Sequence, residues 1–129
     1  MKLFRFVPVI LLMGCSSVEP AENVLNDYAA VAMEHSLLQD HLTGSALISA
    51  RETADLIASL GLRPSGTSHF SQTQIAGVNR YRSCLDVSET KFFDTSGAPV
   101  FLDRIERQLV LVTLSEGKIS ELELDGTPC

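Results

Sequence analysis

The clearest structural signal in the chain is LVLVTLSEGKISELEL, which occupies residues 109–124. Apolar residues fill most of positions 109–114, and acidic and apolar residues then alternate over residues 121–124. Strict alternation is the period of a β-strand with one face in water. The intervening Ser115-Glu116-Gly117-Lys118 has the composition of a tight turn. The pattern therefore predicts a β-hairpin.

The second half of the chain as a whole is predicted to form an antiparallel sheet. Four strands are expected, at residues 69–78, 80–93, 105–114 and 119–124. The apolar run in the third strand predicts a central strand that is covered on both faces. Glu121 and Glu123 indicate that the last strand has one face in solvent. Residues 94–99, DTSGAP, have the composition of a turn.

The first half of the chain has helical periodicity. One helix is expected to begin near Pro20 and to present a single apolar stripe, which consists of Val24, Tyr28, Val31, His35, Leu38 and Leu42. A second helix is expected after Thr43-Gly44, with one face made of Leu47, Ala50, Ala54, Ile57 and Gly61. Ser49 and Glu52 have the spacing of a capping box, and Gly61 is expected to end this helix. Helices followed by strands predict an α+β fold.

Composition excludes several classes of protein. The chain has 129 residues, of which 45% are hydrophobic and 20% charged, so a single small domain is expected and a disordered tail is excluded. Removing Lys2 and Arg5 from the 10 basic residues leaves 8 against 16 acids, a net charge of −8 beyond the N-terminal segment. This acidity excludes binding to the phosphate backbone of a nucleic acid.

The N-terminus has the features of a bacterial lipoprotein leader. Lys2 and Arg5 precede a short apolar run that cannot span a membrane, and Leu12-Met13-Gly14-Cys15 resembles a lipobox. We predict a signal peptide at residues 1–14, a lipidated Cys15 with its tether at residues 15–19, and one α+β domain at residues 20–129. Acyl chains such as palmitate on Cys15 would hold the protein at the extracytoplasmic face of the cell membrane. The alternative is an ordinary signal peptide with a chance cysteine.

The two remaining cysteines are predicted to form a disulfide. Of the three cysteines in the chain, lipidation of Cys15 leaves Cys84 and Cys129. Outside the cytoplasm this pair is expected to oxidise. The alternative, a catalytic thiol at Cys84, requires a nearby histidine base.

Five short segments carry a resemblance to a known family: LTGSAL at 42–47, GL at 61–62, CLDVS at 84–88, DTSG at 94–97 and GTPC at 126–129. In these segments the chain resembles small actinobacterial lipoproteins with a nuclear transport factor 2-like, cone-shaped α+β fold. The resemblance implies helices packed on a curved antiparallel sheet with a pocket between them. The family usually carries a tryptophan after the glycine of the last hairpin, whereas here Lys118 follows Gly117.

The resemblance also suggests candidate catalytic residues, because some proteins with the cone fold are isomerases, dehydratases or cyclases. These enzymes use a carboxylate base and a tyrosine or aspartate donor in an apolar cavity. Tyr28, His35 and Asp86 could supply such a set. We favour a structural interpretation in which Tyr28 packs with its hydroxyl at the rim, His35 is a core histidine with a partner, and Asp86 pairs with Arg82 or Arg80.

No metal site or cofactor is predicted, because His35, His41 and His69 fall on different faces or segments and no motif accompanies them. We therefore predict a non-catalytic envelope lipoprotein that binds a small apolar ligand or an envelope protein. The alternative is a pocket enzyme of the isomerase or dehydratase type. A buried, unpaired carboxylate facing a cavity would favour the enzyme, and a salt-bridged Asp86 would favour the binding protein.

Overall fold

Helical segments precede the strands in the structure, a computed structural model that describes residues 18–129. They are α1 (Val18–Val31), a 3₁₀ turn (His35–Leu37), α2 (Leu38–His41) and α3 (Gly44–Ser59). The predicted signal peptide and Cys15 lie outside the described residues. No helix within the described range is both long and apolar enough to cross a membrane.

The strands form two antiparallel sheets. The strands are β1 Arg63–Ser65, β2 His69–Gly77, β3 Arg80–Asp86, β4 Lys91–Phe93, β5 Pro99–Val100, β6 Arg107–Ser115 and β7 Lys118–Pro128. A four-stranded sheet has the order β2-β3-β6-β7, and a smaller three-stranded sheet has the order β1-β4-β5. The predicted α+β class is confirmed.

The predicted hairpin is confirmed as β6 and β7. Glu116 and Gly117 at its tip have φ angles of 52° and 78°, as a two-residue type I′ turn requires. Burial differs from the prediction on one point. Val110 and Val112 are fully buried, but Leu109 and Leu111 on the other face are only half-buried. The sheet is therefore covered by helices on one face only, and the prediction of two covered faces is wrong.

The predicted long strand at residues 80–93 is divided between the two sheets. β3 ends at Asp86, and the chain then turns into β4. The Thr90 N–H closes this turn by donating to the Val87 carbonyl at 3.0 Å. The guanidinium of Arg104 donates to the carbonyls of both Val87 and Thr90. Because Arg104 is far along the chain, local sequence carries no signal for this turn.

The predicted first helix is interrupted. α1 ends at Val31, and its buried face consists of Ala21, Leu25 and Ala29 rather than the predicted stripe. A continuous helix over residues 18–42 would be roughly 37 Å long, whereas the nine-residue strands below it span roughly 30 Å. Breaking the helix brings Leu38 and Leu42 back onto the sheet, where both are buried.

Backbone hydrogen bonds define both ends of α3. The Thr43 N–H donates to the Ile119 carbonyl at 2.9 Å, so the helix starts at Gly44 and the predicted capping box at Ser49 is wrong. At the other end, the Gly61 N–H donates to Ala58 and the Leu62 N–H donates to Ile57, with Gly61 at φ +70°. This is a Schellman motif, so the predicted role of Gly61 is confirmed.

The edge of β2 is protected by a side chain of α1. The Asn26 amide donates to the Phe70 carbonyl at 3.0 Å and accepts from the Phe70 N–H at 2.9 Å. These two hydrogen bonds take the place of those that a neighbouring strand would make with Phe70. Asn26 therefore both attaches α1 to the sheet and blocks this position to another strand.

Cys84 and Cys129 are joined as predicted, with their Cα atoms 5.9 Å apart. The bridge fastens the end of β7 to β3 across the outer face of the sheet, and the Cys129 N–H also donates to the Arg107 carbonyl at 3.3 Å. The thiol that a catalytic interpretation of Cys84 requires is therefore consumed.

Candidate functional site

An apolar groove of about 530 Å³ lies between α1, α3 and β7. Its floor consists of Leu42, Leu122 and Leu124, and one end is closed by Leu62 and Pro64. α1 packs mainly on β2 and α3 on β7, which are the two edge strands of the four-stranded sheet. Three strand spacings separate the edges by roughly 14 Å, whereas helices in contact are about 8–10 Å apart. The groove is the space that this separation leaves.

The wall formed by α3 keeps the groove open because its side chains are small. Most of the α3 residues that line the groove are alanine, serine or threonine, and only Asp55 and Ile57 are larger: Ala46, Ser49, Ala50, Thr53, Ala54, Asp55, Ile57 and Ala58. This surface overlaps the predicted inner face of the second helix at Ala50, Ala54 and Ile57. Larger side chains at these positions would fill the space between the helix and the floor.

Among the described residues, three titratable side chains line the groove: Tyr28, His35 and Asp55. The His35 Nε2 atom lies 3.9 Å from the Asp55 Oδ1 atom, with the two side chains 54% and 80% exposed. An ion pair this exposed contributes little to stability. Its effect is to connect the turn after α1 to α3 across the mouth of the groove.

Tyr28 lies deeper in the groove. Its ring is half-buried and its centroid is 6.4 Å from that of Phe70, so it packs at the junction of α1 and β2. Burial raises the pKa of the Tyr28 phenol, because the ionised form loses its hydration. The phenol is therefore a neutral hydrogen-bonding group in the groove.

His35 lines the same groove as Tyr28, but it is an exposed residue and does not belong to the core. Because α1 ends at Val31, the chain turns and places His35 at the surface, with Asp55 as its neighbour. The expectation of a core histidine is therefore wrong. Asp55 was not predicted as a site residue; it is adjacent to Ala54 in sequence, but its proximity to His35 depends on the turn.

Asp86 does not line the groove and lies on the outer face of the sheet. Its Oδ2 atom is 3.6 Å from the Nε atom of Arg107, the residue opposite it in β6, so the predicted pairing with Arg82 or Arg80 is wrong. Hydrogen bonds from the Ser88 hydroxyl and backbone N–H, together with the charge of Arg107, hold the pKa of Asp86 below its usual value. Asp86 is therefore ionised at neutral pH and separated from Tyr28 and His35.

Within residues 18–129, no group of three or more histidine, cysteine, aspartate or glutamate side chains could hold a metal ion. His69 lies at the start of β2, where its Nε2 atom is 3.3 Å from Glu89. The groove offers hydroxyl groups and one imidazole–carboxylate pair, which suit hydrogen bonding to a ligand at the rim.

No model of a known protein family matches the chain, and no curated protein matches it. Among solved structures, it is similar to the crystal structure of the intermembrane space region of chloroplast protein ARC6. The TM-score is 0.58 at 18% sequence identity, and the match covers 83% of this chain and 95% of that chain. At this level of identity the likeness shows a shared α+β fold.

Proposed function

We propose that this protein is a lipid-anchored lipoprotein of the extracytoplasmic face of the cell membrane, whose domain binds a small apolar ligand without catalysing a reaction. The apolar groove is the observation that carries this proposal. Its volume of about 530 Å³ lies within the range of about 300–1,000 Å³ that is usual for small-molecule sites. Apolar lining with a few polar groups at one side is also typical of such sites.

Exposed apolar side chains at the rim provide apolar surface that a bound ligand would remove from water. Met33 and Leu124 line the groove and are 42% and 59% exposed. Covering apolar surface contributes about 25 cal/mol for each Å² removed from water. A ligand seated between these residues would gain this free energy without a rearrangement of the fold.

The arrangement of carboxylates favours binding over catalysis. An isomerase or dehydratase of the kind considered above needs a carboxylate base in an apolar cavity. Asp86 is paired with Arg107 outside the groove, and Asp55 is in the groove but largely exposed to water. Neither carboxylate has the environment that the enzymatic alternative requires.

The proposed location rests on the leader sequence and is supported by two further observations. The Cys84–Cys129 pair is in keeping with an oxidising compartment. The similar solved structure is itself named as an intermembrane space region, in keeping with a location outside the cytoplasm.

We further propose that the α+β fold is the nuclear transport factor 2-like cone of the lipoproteins that the chain resembles, with the groove as its pocket.

The anchor is tested by the change Cys15→Ala. We expect the variant to be released from membranes or to accumulate as an uncleaved precursor, because no thiol is present to receive the diacylglycerol. Fractionation of cells and intact-mass measurement check this result. An unchanged mass and an unchanged membrane fraction would contradict the anchor.

The binding function is tested by filling the groove with the change Ala54→Phe. We expect the intact protein from its own membrane to retain an apolar molecule, seen as a difference between its native and denatured masses. The phenyl ring at position 54 would occupy the space between α3 and the floor, so this excess mass should be lost. A covalent lipid contributes equally to both masses and does not affect the difference.

The matched control is Leu56→Phe, which places the same side chain on the same helix. Leu56 is exposed and does not line the groove. This variant should retain the excess mass. Absence of any excess mass in the unmodified protein, or its equal retention in both variants, would contradict binding in the groove.

A further inference from the structure

We propose that the ligand of the apolar groove is an uncharged single-chain lipid, of the chemical class of a monoacylglycerol, taken from the membrane. This inference rests on the proposed binding function and adds the shape and charge of the ligand. The length of the groove, the absence of lysine and arginine among the described residues that line it, and the distribution of its hydroxyl groups are the observations that carry it.

The groove is long and follows the axis of α3. Its lining extends from Ala46 to Ala58, a separation of twelve residues and therefore roughly 18 Å. Leu42, Leu122 and Leu124 form an apolar floor below this wall. An extended alkyl chain matches a long apolar channel, and each of its methylenes contributes about 0.8 kcal/mol when it leaves water, or about fourfold in affinity.

The charge of the groove disfavours an anionic lipid. Among the described residues that line it there is no lysine or arginine, and its one basic side chain, His35, already faces Asp55. A carboxylate or phosphate entering the groove would lose hydration without gaining a cation, which is costly. The Asp55 carboxylate and the net charge of −8 beyond the leader would repel it further.

Polar groups are concentrated along one part of the groove. Ser49, Thr53 and Asp55 lie on α3 before its last turn, and His35 faces Asp55 from the 3₁₀ turn. Ile57, Ala58, Leu62 and Pro64 form an apolar end. Hydroxyl and imidazole groups exchange hydrogen bonds with the hydroxyls of a glycerol head group. The head group is therefore placed beside Thr53, and the alkyl chain lies along the apolar floor formed by Leu42, Leu122 and Leu124.

The experiment uses tryptophan fluorescence, since the chain has no tryptophan of its own. Met33→Trp places a reporter at the rim of the groove in the intact lipidated protein, held in phosphatidylcholine nanodiscs. A monoacylglycerol with a brominated chain, which quenches tryptophan on contact, is added at increasing mole fraction. We expect quenching of Met33→Trp and none of Val78→Trp, a control at the tip of the β2–β3 hairpin where Val78 is 89% exposed.

Charge selectivity is measured with a free fatty acid that carries the same brominated chain, at a pH at which it is ionised. Half-maximal quenching by the acid should require a mole fraction at least about tenfold higher than half-maximal quenching by the monoacylglycerol. Thr53→Arg adds a cation at the head-group position and should reverse this preference. Ile48→Arg adds the same cation on the exposed side of α3 that does not line the groove and should leave the preference unchanged.

The possible failures are distinguishable. Equal quenching by both lipids, or stronger quenching by the acid, would overturn the uncharged ligand but leave apolar binding in place. A retained native mass excess without quenching by either lipid would also overturn this inference, since a different molecule would occupy the groove. Absence of both quenching and a mass excess would contradict the binding function itself.

Discussion

Replacing both Cys84 and Cys129 with alanine is expected to lower the free energy of unfolding by about 4 kcal/mol. The bridge joins residues separated by 45 positions, and closing a loop of this length restricts the unfolded chain far more than the folded one. It also fastens the exposed end of β7 to β3. Urea unfolding without a reductant measures the loss.

The control for the disulfide prediction is the unmodified protein unfolded in the presence of a reductant. Reduction should lower its midpoint close to that of the double variant, whereas the double variant should not respond to the reductant. A loss below about 1 kcal/mol would contradict the prediction, because a cross-link of this span has a larger calculated effect on the unfolded chain.

The features predicted correctly are those with local signals. The β6–β7 hairpin follows from alternating side chains around a Glu116-Gly117 turn, and the end of α3 follows from a glycine at C′. The disulfide follows from the number of cysteines once Cys15 is assigned to the lipid. Each of these depends on a few neighbouring residues or on a count, so the sequence alone is sufficient.

The features predicted wrongly depend on contacts that are distant in sequence. α1 ends at Val31 because Leu38 and Leu42 return to the sheet, and Leu42 lies beside Ile119 in a parallel bridge. The turn after β3 is held by Arg104, which donates to carbonyls 14 and 17 residues earlier. Helical periodicity continues through the first break, and β-propensity continues through the second, so neither is visible locally.

The candidate site also combines features that the local sequence predicts with features that depend on distant contacts. The small residues of α3 are visible in the sequence, but a face of alanine and serine is equally suited to close packing against another helix. The groove results from the positions of α1 and α3 over opposite edge strands. Asp86 and His35 were displaced from their predicted surroundings for the same reason, since strand register and a turn decide their neighbours.

Gly66→Ala is expected to lower the free energy of unfolding by about 2–5 kcal/mol. Gly66 has a φ of +87°, where an alanine is strained by about 1–2 kcal/mol, and its added Cβ would overlap the Glu89 carbonyl oxygen. Overpacking of this kind costs about 1–3 kcal/mol more, because the backbone must move. Urea unfolding of the variant measures the sum.

Gly97→Ala isolates the contribution of the steric overlap. Gly97 has a φ of +86°, almost the same as Gly66, but nothing lies within 4 Å of its added Cβ. This control should therefore lose only about 1–2 kcal/mol, the conformational part. Equal losses in the two variants would show that the Glu89 backbone yields freely.

The contact between Gly66 and Glu89 matters for the groove as well, because Gly66 follows β1. Pro64 of β1 closes the apolar end of the groove and pairs with Phe92 of β4. Forcing the Gly66 backbone away from Glu89 should separate β1 from β4, so Gly66→Ala should also weaken retention of the ligand while Gly97→Ala should not.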